Sequence, residues 1–185
     1  MSKSYRKIFF MSTLEYFADF LLCPIYVCFI MHYNTDPVLH MIGMVLLGVL
    51  FWTFLEYATH RWFSHGWLHE QHDDHHVHPK DLVGNTPWMT FALTGIFWGL
   101  FWVLFDTNSA SSLTSGLLIG YLIYGSIHVK LHHVDPQTFS RPMAALYRHH
   151  AGHHRGGRYN FGVTTTIWDR LLGTYAASGT RERQG

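Results

Sequence analysis

The chain has 185 residues, 48% of them hydrophobic and 17% aromatic but only 14% charged, which allows one domain and is too apolar for an ordinary soluble one. Thirteen Lys and Arg stand against twelve Asp and Glu, a net charge of +1, so no broad basic field exists to gather phosphates, and nucleic acid is excluded as a partner. Cys23 and Cys28, the only two cysteines, lie five apart in an apolar stretch without CxxC or Cys-His spacing, which argues against a disulfide framework or a thiolate metal site.

The chain opens on MSKSYRKIFF, residues 1 to 10, whose basic start suggests a secretory signal. Glu15 and Asp19 interrupt the apolar run that follows, and no small-residue cleavage site comes after it, so the expectation is an uncleaved membrane protein. Four spans are predicted, at about 17–33, 40–58, 88–105 and 113–131, each close to the roughly 20 residues needed to cross a hydrocarbon core. The first contains Pro24. NTDP joins the first pair and DTNSASS the second, giving two hairpins. The fold class expected is all-α: one integral membrane domain over residues 1–185, with four transmembrane helices and a helical cap made of residues 59–87 and 132–185. A buried soluble bundle is the alternative.

Charge sets the expected orientation. Lys3, Arg6 and Lys7 precede the first span, Arg61 and Lys80 lie between the second and third, and the other eight Lys and Arg lie from Lys130 onward. None falls in the two connecting turns. By the positive-inside rule both termini and the middle loop are cytoplasmic.

Fourteen of the sixteen histidines fall in residues 60–78, 128–133 and 149–154, on the predicted cytoplasmic side. His72, His75 and His76 stand at i, i+3 and i+4, and His150, His153 and His154 repeat this HxxHH pattern, a spacing that places side chains on one helical face. His128 and His132 add an i, i+4 pair at the end of the fourth span. His60 and His65 end the second, and their i+5 separation predicts a helix break or ligation from two directions. His32 and His40 are read as surface or core residues. Neutral imidazole suits Fe, Zn, Cu and Ni. Ten candidate ligands exceed the four of a tetrahedral zinc, so two metals are expected, each with several histidines and an open position. A nonspecific metal-sequestering tract is disfavoured because the groups lie in separate segments, each with helical periodicity.

HRWFSH (60–65), HDDHH (72–76), HVKLHH (128–133), HHAGHH (149–154) and NFGVTTTIWDRLLGTY (160–175) together resemble the fatty acid hydroxylase and sterol desaturase superfamily, integral membrane di-metal oxygenases. The resemblance runs from about Glu56 to Tyr175 and looks like a short bacterial-type member. It implies a membrane anchor under a cytosolic cap, two iron ions held by histidines, O2 as co-substrate, and attack on a C–H bond of a membrane lipid. Carried over position by position, the metal ligands would be His60, His65, His72, His75, His76, His128, His132, His150, His153 and His154. No separate catalytic residue is implied beyond the metal centre. His78, His133 and His149 are left for supporting or surface roles, as is His69, at i+4 from His65 and i−3 from His72.

Metal-bound histidines usually give their second N–H to a carboxylate or carbonyl, and Glu56, at the end of an apolar span, is the first candidate acceptor. Asp169 is another, with Arg170 or Arg158 as its alternative partner, while Asp73 and Asp74 are expected to face solvent. GRYNFG is expected to turn over the cap, with Gly157 and Gly162 supplying backbone freedom. Aromatics near the cap, Trp88 and Phe91 among them, are read mostly as interfacial anchors.

Acyl-lipid hydroxylation is the leading function. The compact HGWLHEQHDDHH looks like carotenoid ring hydroxylases, which keeps carotenoid or sterol oxidation as the alternative, whereas HVKLHH and the tail favour the fatty acid branch. Nothing resembles a fused cytochrome b5, so a separate ferredoxin or cytochrome is the expected electron donor. The expected location is a bacterial inner membrane or an ER-like membrane, zinc could replace iron in recombinant protein, and no oligomeric state is implied. A membrane metal transporter or sensor is a reading from another class, disfavoured because the histidines gather at one end instead of lining the spans.

Overall fold

A computed structural model describes residues 12–82 and 84–177. The opening MSKSYRKIFF, and with it Lys3, Arg6, Lys7, Arg181 and Arg183 of the charge argument, lie outside the described residues. Within them the secondary structure is helical, without strands: α1 (Thr13–Met31), α2 (Val38–Ala58) continuing as a π-helix (Thr59–Trp67), α3 (His69–Val77), α4 (Pro87–Leu104), α5 (Thr107–His133), α6 (Arg141–Gly156) and the short α7 (Ile167–Leu171).

Four helical runs are long and apolar enough to cross a membrane: Thr13–Met31, Val38–Trp67, Pro87–Leu104 and Thr107–His133. Two begin earlier than hydropathy predicts, and caps explain both. Ser12 and Glu15 form a reciprocal capping box at the start of α1, which satisfies orphan backbone donors ahead of the apolar run. Asp106 accepts the N–H groups of Asn108 and Ser109 and the Ser109 hydroxyl, so α5 starts inside DTNSASS instead of after it. Pro24 lies inside α1 without ending it.

The chain forms two compact units. The first holds residues up to Trp52 and Asp81–Ile123. Here α1 packs on α4, and α5 is the inner helix: 61% of its most apolar window is buried against 6–17% for the other three. Small residues make that possible. A Cβ on Gly116 would come 2.0 Å from the Val45 carbonyl oxygen, and one on Gly48 2.2 Å from that of Leu113, so the backbones of α2 and α5 touch where no side chain fits. The outward faces of α1, α2 and α4 carry exposed Leu21, Phe29, Leu46, Ile96 and Val103, a surface suited to lipid.

The second unit holds Thr53–Lys80 and the residues from Tyr124 onward, and contains every histidine assigned above as a ligand. Its helices are polar and short apart from the ends of α2 and α5, and α3 packs on the π-helix.

A candidate dinuclear metal centre

The ten histidines singled out from sequence fall into two groups of five. One contains His60, His65, His72, His76 and His153, the other His75, His128, His132, His150 and His154, with the ligand atoms of each group within 4.8 Å of one another. The HxxHH motifs are divided between them. His72 and His76 join the first group while His75 joins the second, and His150 and His154 join the second while His153 joins the first. Each group therefore takes an i, i+4 pair from one motif, the i+3 member of the other, and two histidines from the end of a long helix.

The i+5 pair needed a device that the sequence reading did not supply. Five residues of α-helix turn about 500°, leaving side chains about 140° apart. The expected break does not occur: the ladder widens to i→i+5 over Thr59–Trp67, which brings residues five apart back over one another. Where the winding changes, the Thr59 hydroxyl donates to the Leu55 carbonyl at 2.7 Å, satisfying an acceptor there. His60 and His65 thus reach the same group.

The donor geometry fits metal ions. In the first group Nε2 of His72 lies 2.9 Å from Nε2 of both His60 and His76, and Nε2 of His153 lies 3.0, 3.1 and 3.5 Å from those of His65, His76 and His72. In the second, successive Nε2 contacts from His128 through His132 and His150 to His154 measure 3.1, 2.9 and 3.1 Å. Ligands about 2.0–2.1 Å from one ion stand about 3.0–3.4 Å apart. Hydrogen bonds alone do not account for the first group. The Nδ1 atoms of His60 and His153 face the carbonyl oxygens of Phe161 and Tyr159, the latter at 2.8 Å. A carbonyl only accepts, so each ring spends its one N–H there and turns a bare Nε2 lone pair inward. The Nε2 atoms of His72, His76 and His153 also meet in a triangle, around which donors and acceptors cannot alternate, so the cluster calls for a cation. In the second group, buried His75 has neither ring nitrogen hydrogen-bonded, which leaves its lone pair uncommitted and fit to ligate.

Charge state agrees. Burial first, then neighbouring imidazoles, pushes His75 down to about 3, and burial likewise takes His153 to about 3. His72, His76, His150 and His154 are lowered with the same leading cause. All six are neutral at pH 7 and free to ligate. The groups also abut: His76 stacks on His154 with centroids 4.3 Å apart, and His150 on His153 at 6.2 Å.

The family model for fatty acid hydroxylases matches residues 45–174. This chain belongs to the fatty acid hydroxylase family. It is 32% identical over 146 residues to dihydroceramide fatty acyl 2-hydroxylase FAH1 of Arabidopsis thaliana, a match covering 72% of this chain and 60% of that protein. It is 32% identical to the ceramide very long chain fatty acid hydroxylase SCS7 of Saccharomyces cerevisiae, across 70% of this chain and 37% of that one. A solved structure described as full-length scs7p with only its hydroxylase domain visible superposes with a TM-score of 0.78 at 26% identity, covering 91% of this chain and 72% of that one. The chain thus spans about three fifths of the plant relative and under two fifths of the yeast one. Family and helices together mark a membrane protein, and the histidine groups are its candidate metal sites.

Sequence reasoning missed how this member of the family aims its histidines. The acceptors are the backbone carbonyls of Tyr159 and Phe161, not carboxylates. Glu56, expected to take an imidazole N–H, is buried and instead accepts the backbone N–H groups of Val163 and Thr164 and, at 2.6 Å, the Thr164 hydroxyl. Asp169 pairs with neither Arg158 nor Arg170. Fully buried, it accepts from Phe161 N–H, Gly162 N–H and Thr174 Oγ1, each at 2.8 Å, and from His149 Nε2 at 3.0 Å. Burial raises its carboxyl pKa, but these donors outweigh it and the net shift is downward. Both acids therefore act on the loop at 159–164, and the loop orients His60 and His153.

The remaining assignments divide. Gly157 takes φ +66° at the C-cap of α6, as expected of glycine. Gly162 is needed for space instead, since a Cβ there would meet the Thr165 carbonyl oxygen at 2.1 Å. Asn160 adopts the other left-handed turn of the loop, φ 62°, and its side chain bonds both the N–H and the carbonyl of Ala176. His69 belongs to neither group: it is exposed and bonds the Gly66 carbonyl at 3.0 Å, which fits the surface alternative of its two expected roles. His78 is also exposed and pairs with Asp74, and exposed His133 stands apart from both groups. No Tyr159 or Phe161 side chain advertises the carbonyl it carries, so only the NFG turn and its glycine offered a signal.

Proposed function

We propose that this chain is a di-iron hydroxylase of membrane-lipid acyl chains, its ten histidines holding two iron ions, five at each. The two five-histidine groups carry the reading, and the names of the relatives supply its direction: the plant proteins and a mouse relative, fatty acid 2-hydroxylase, suggest carbon 2 as the position attacked. The balanced reaction takes the lipid C–H, O2, two electrons and two protons to the alcohol and water. Iron supplies the O2-activating redox chemistry that amino-acid side chains lack.

The protein's own part is to hold and orient. His60 and His153, fixed by the Phe161 and Tyr159 carbonyls, present unprotonated Nε2 atoms, and burial keeps the other ligating rings outside the spans neutral. Zinc would fill the same ligands without the redox step. Electrons come from a separate ferredoxin or cytochrome. The spans and cap work as one domain, supported by a family match that draws on both units, with both termini on the cytoplasmic side.

The test is protein produced with added iron, assayed for metal content, O2 uptake and lipid product. About two irons per chain and lipids heavier by one oxygen atom are expected with reductant present. Metal flux across liposomes without O2 consumption would overturn the reading in favour of a transporter.

A further inference from the structure

Among the described residues Asp19 is the one carboxyl buried within a candidate span of the first unit, 2% exposed on the inner face of α1, six residues after its first residue Thr13. An ionisable group at such a place carries a large desolvation cost and marks function unless packing fully accounts for it. Packing accounts for half of it. Thr90 Oγ1 and Tyr121 OH both donate to Oδ2, each at 2.7 Å, and no described hydrogen bond falls on Oδ1.

Asp19 also lines a cavity of ≈ 280 Å³ between α1 and α4, with Leu118 of α5 on its wall, a size at the lower edge of small-ligand pockets. The cavity follows helical geometry. Asp19, Leu22, Cys23 and Tyr26 stand at i, i+3, i+4 and i+7 on α1, and Pro87, Thr90, Phe91 and Thr94 repeat that spacing on α4, so each helix turns a full stripe toward it. The threonines are committed: Thr94 bonds the Thr90 carbonyl at 2.6 Å, and Thr90 bonds Asp19. The rest of the wall is mostly carbon; besides Asp19 Oδ1, the Tyr26 hydroxyl, the Cys23 thiol and the Trp88 N–H line it without a described hydrogen bond, and the carboxyl oxygen is the strongest acceptor among them. Tyr26 and Phe91 meet edge to face with centroids 5.1 Å apart and close one side, while exposed Trp88 lies at the rim.

We propose that this cavity binds one lipid chain whose head carries a hydrogen-bond donor, a hydroxyl, amide N–H or ammonium, received by Asp19 Oδ1. An all-apolar groove would accept any chain. The buried acceptor selects against heads that only accept, because such a head would leave two acceptors facing each other away from water. The site lies wholly in the first unit, and the proposal does not depend on the hydroxylase reading.

The experiment is photo-crosslinking of the iron-loaded wild-type protein in nanodiscs, without O2 or reductant, so that binding is read apart from turnover. One probe is a long-chain 2-amino alcohol with a diazirine in its chain, the other the same chain as a methyl ester, and labelled peptides are mapped by mass spectrometry. Labelling of residues 19–26 and 87–94 is expected to favour the donor-bearing probe about tenfold, the effect of one net hydrogen bond. Equal labelling by the two probes overturns the proposal, as does donor-probe labelling confined to other segments. Asp19→Asn should abolish the preference. Leu118→Trp, which adds bulk at the cavity wall and leaves residue 19 itself unchanged, should abolish labelling there while the bound iron stays unchanged; undiminished labelling in that folded variant also counts against the site.

Discussion

Asp169→Asn tests whether the loop at 159–164 aims the histidines. The carboxylate accepts four hydrogen bonds and is fully buried. The amide oxygen of Asn can keep Phe161 N–H and Thr174 Oγ1, but its NH2 then faces Gly162 N–H and His149 Nε2. Gly162 is left without an acceptor. His149 can adapt only by moving its proton to Nδ1, which is buried and has no partner, so a second orphan follows. Each buried orphan costs about 1–3 kcal/mol. With some adjustment of the loop, about 3 kcal/mol of stability should be lost, a sizeable part of a typical total of about 5–15 kcal/mol.

The functional effect should be uneven between the two groups. The loop carbonyls serve His60 and His153, both in the first group, and among the described residues no hydrogen bond joins the second group to Tyr159 or Phe161. Loss of such an outer partner weakens metal binding about 10–100-fold. Chelator competition on iron-loaded protein should therefore release the ions in two separated steps, the first-group ion far earlier than in the wild type and the other shifted by less, with a melting curve confirming that the variant is folded at the assay temperature. Equal weakening of both ions, or of neither, refutes the reasoning.

Glu56→Gln should give a milder form of the same one-site defect, since it holds the loop through Val163 and Thr164, and metal titration checks it. His72→Ala and His75→Ala, three residues apart, should empty different groups, distinguishable by Mössbauer or cobalt-substituted absorption spectra; indistinguishable spectra would falsify the divided-motif assignment. Acid should destabilise the protein in a defined window. Because burial depresses the folded-state pKa of His72, His75, His76, His150, His153 and His154, the unfolded chain takes up protons from about pH 6.5 downward while the folded chain does not. Their contribution is complete above that pH and is lost as pH falls toward about 3, whereas that of Asp169 is lost only below its ordinary 3.8; melting curves between pH 7.5 and about 5 should show the histidine part alone. Gly116→Ala should force α2 and α5 apart and cost about 1–3 kcal/mol or more, while Gly99→Ala, with nothing within 4 Å of its Cβ position, should leave thermal stability in detergent unchanged or slightly raised.

What the sequence made legible was whatever side chains encode by spacing. Apolar runs announced four helices, and i, i+4 histidine pairs announced convergence. Helix starts at Ser12 and Asp106 were harder because capping competes with hydropathy and wins locally: a polar residue that looks like loop satisfies the first N–H groups and draws the helix outward. The π-helix was hidden because α periodicity is the default against which an i+5 pair reads as a misfit. The loop was hidden for a different reason. Its working atoms at Tyr159 and Phe161 belong to the backbone, which is the same at every residue, and the acids that looked like imidazole acceptors turned out to shape that backbone.

The HxxHH spacing itself explains the division of each motif. On an α-helix, i and i+4 diverge by about 40°, whereas i+3 and i+4 diverge by about 100°. One helix can thus aim a pair at one point and its third imidazole at another. Two such helices, α3 and α6, each give a pair to one group and a single ring to the other, so both groups bridge the same two helices. On the proposed two-ion reading, the first ion to bind already fixes α3 against α6 and places three of the five rings of the second group. The ordering entropy spent on that arrangement is not spent again, so loading is expected to be cooperative. A motif with only the i, i+4 pair would give each helix its own ion and no such coupling, which gives the adjacent histidines His75–His76 and His153–His154 a physical purpose.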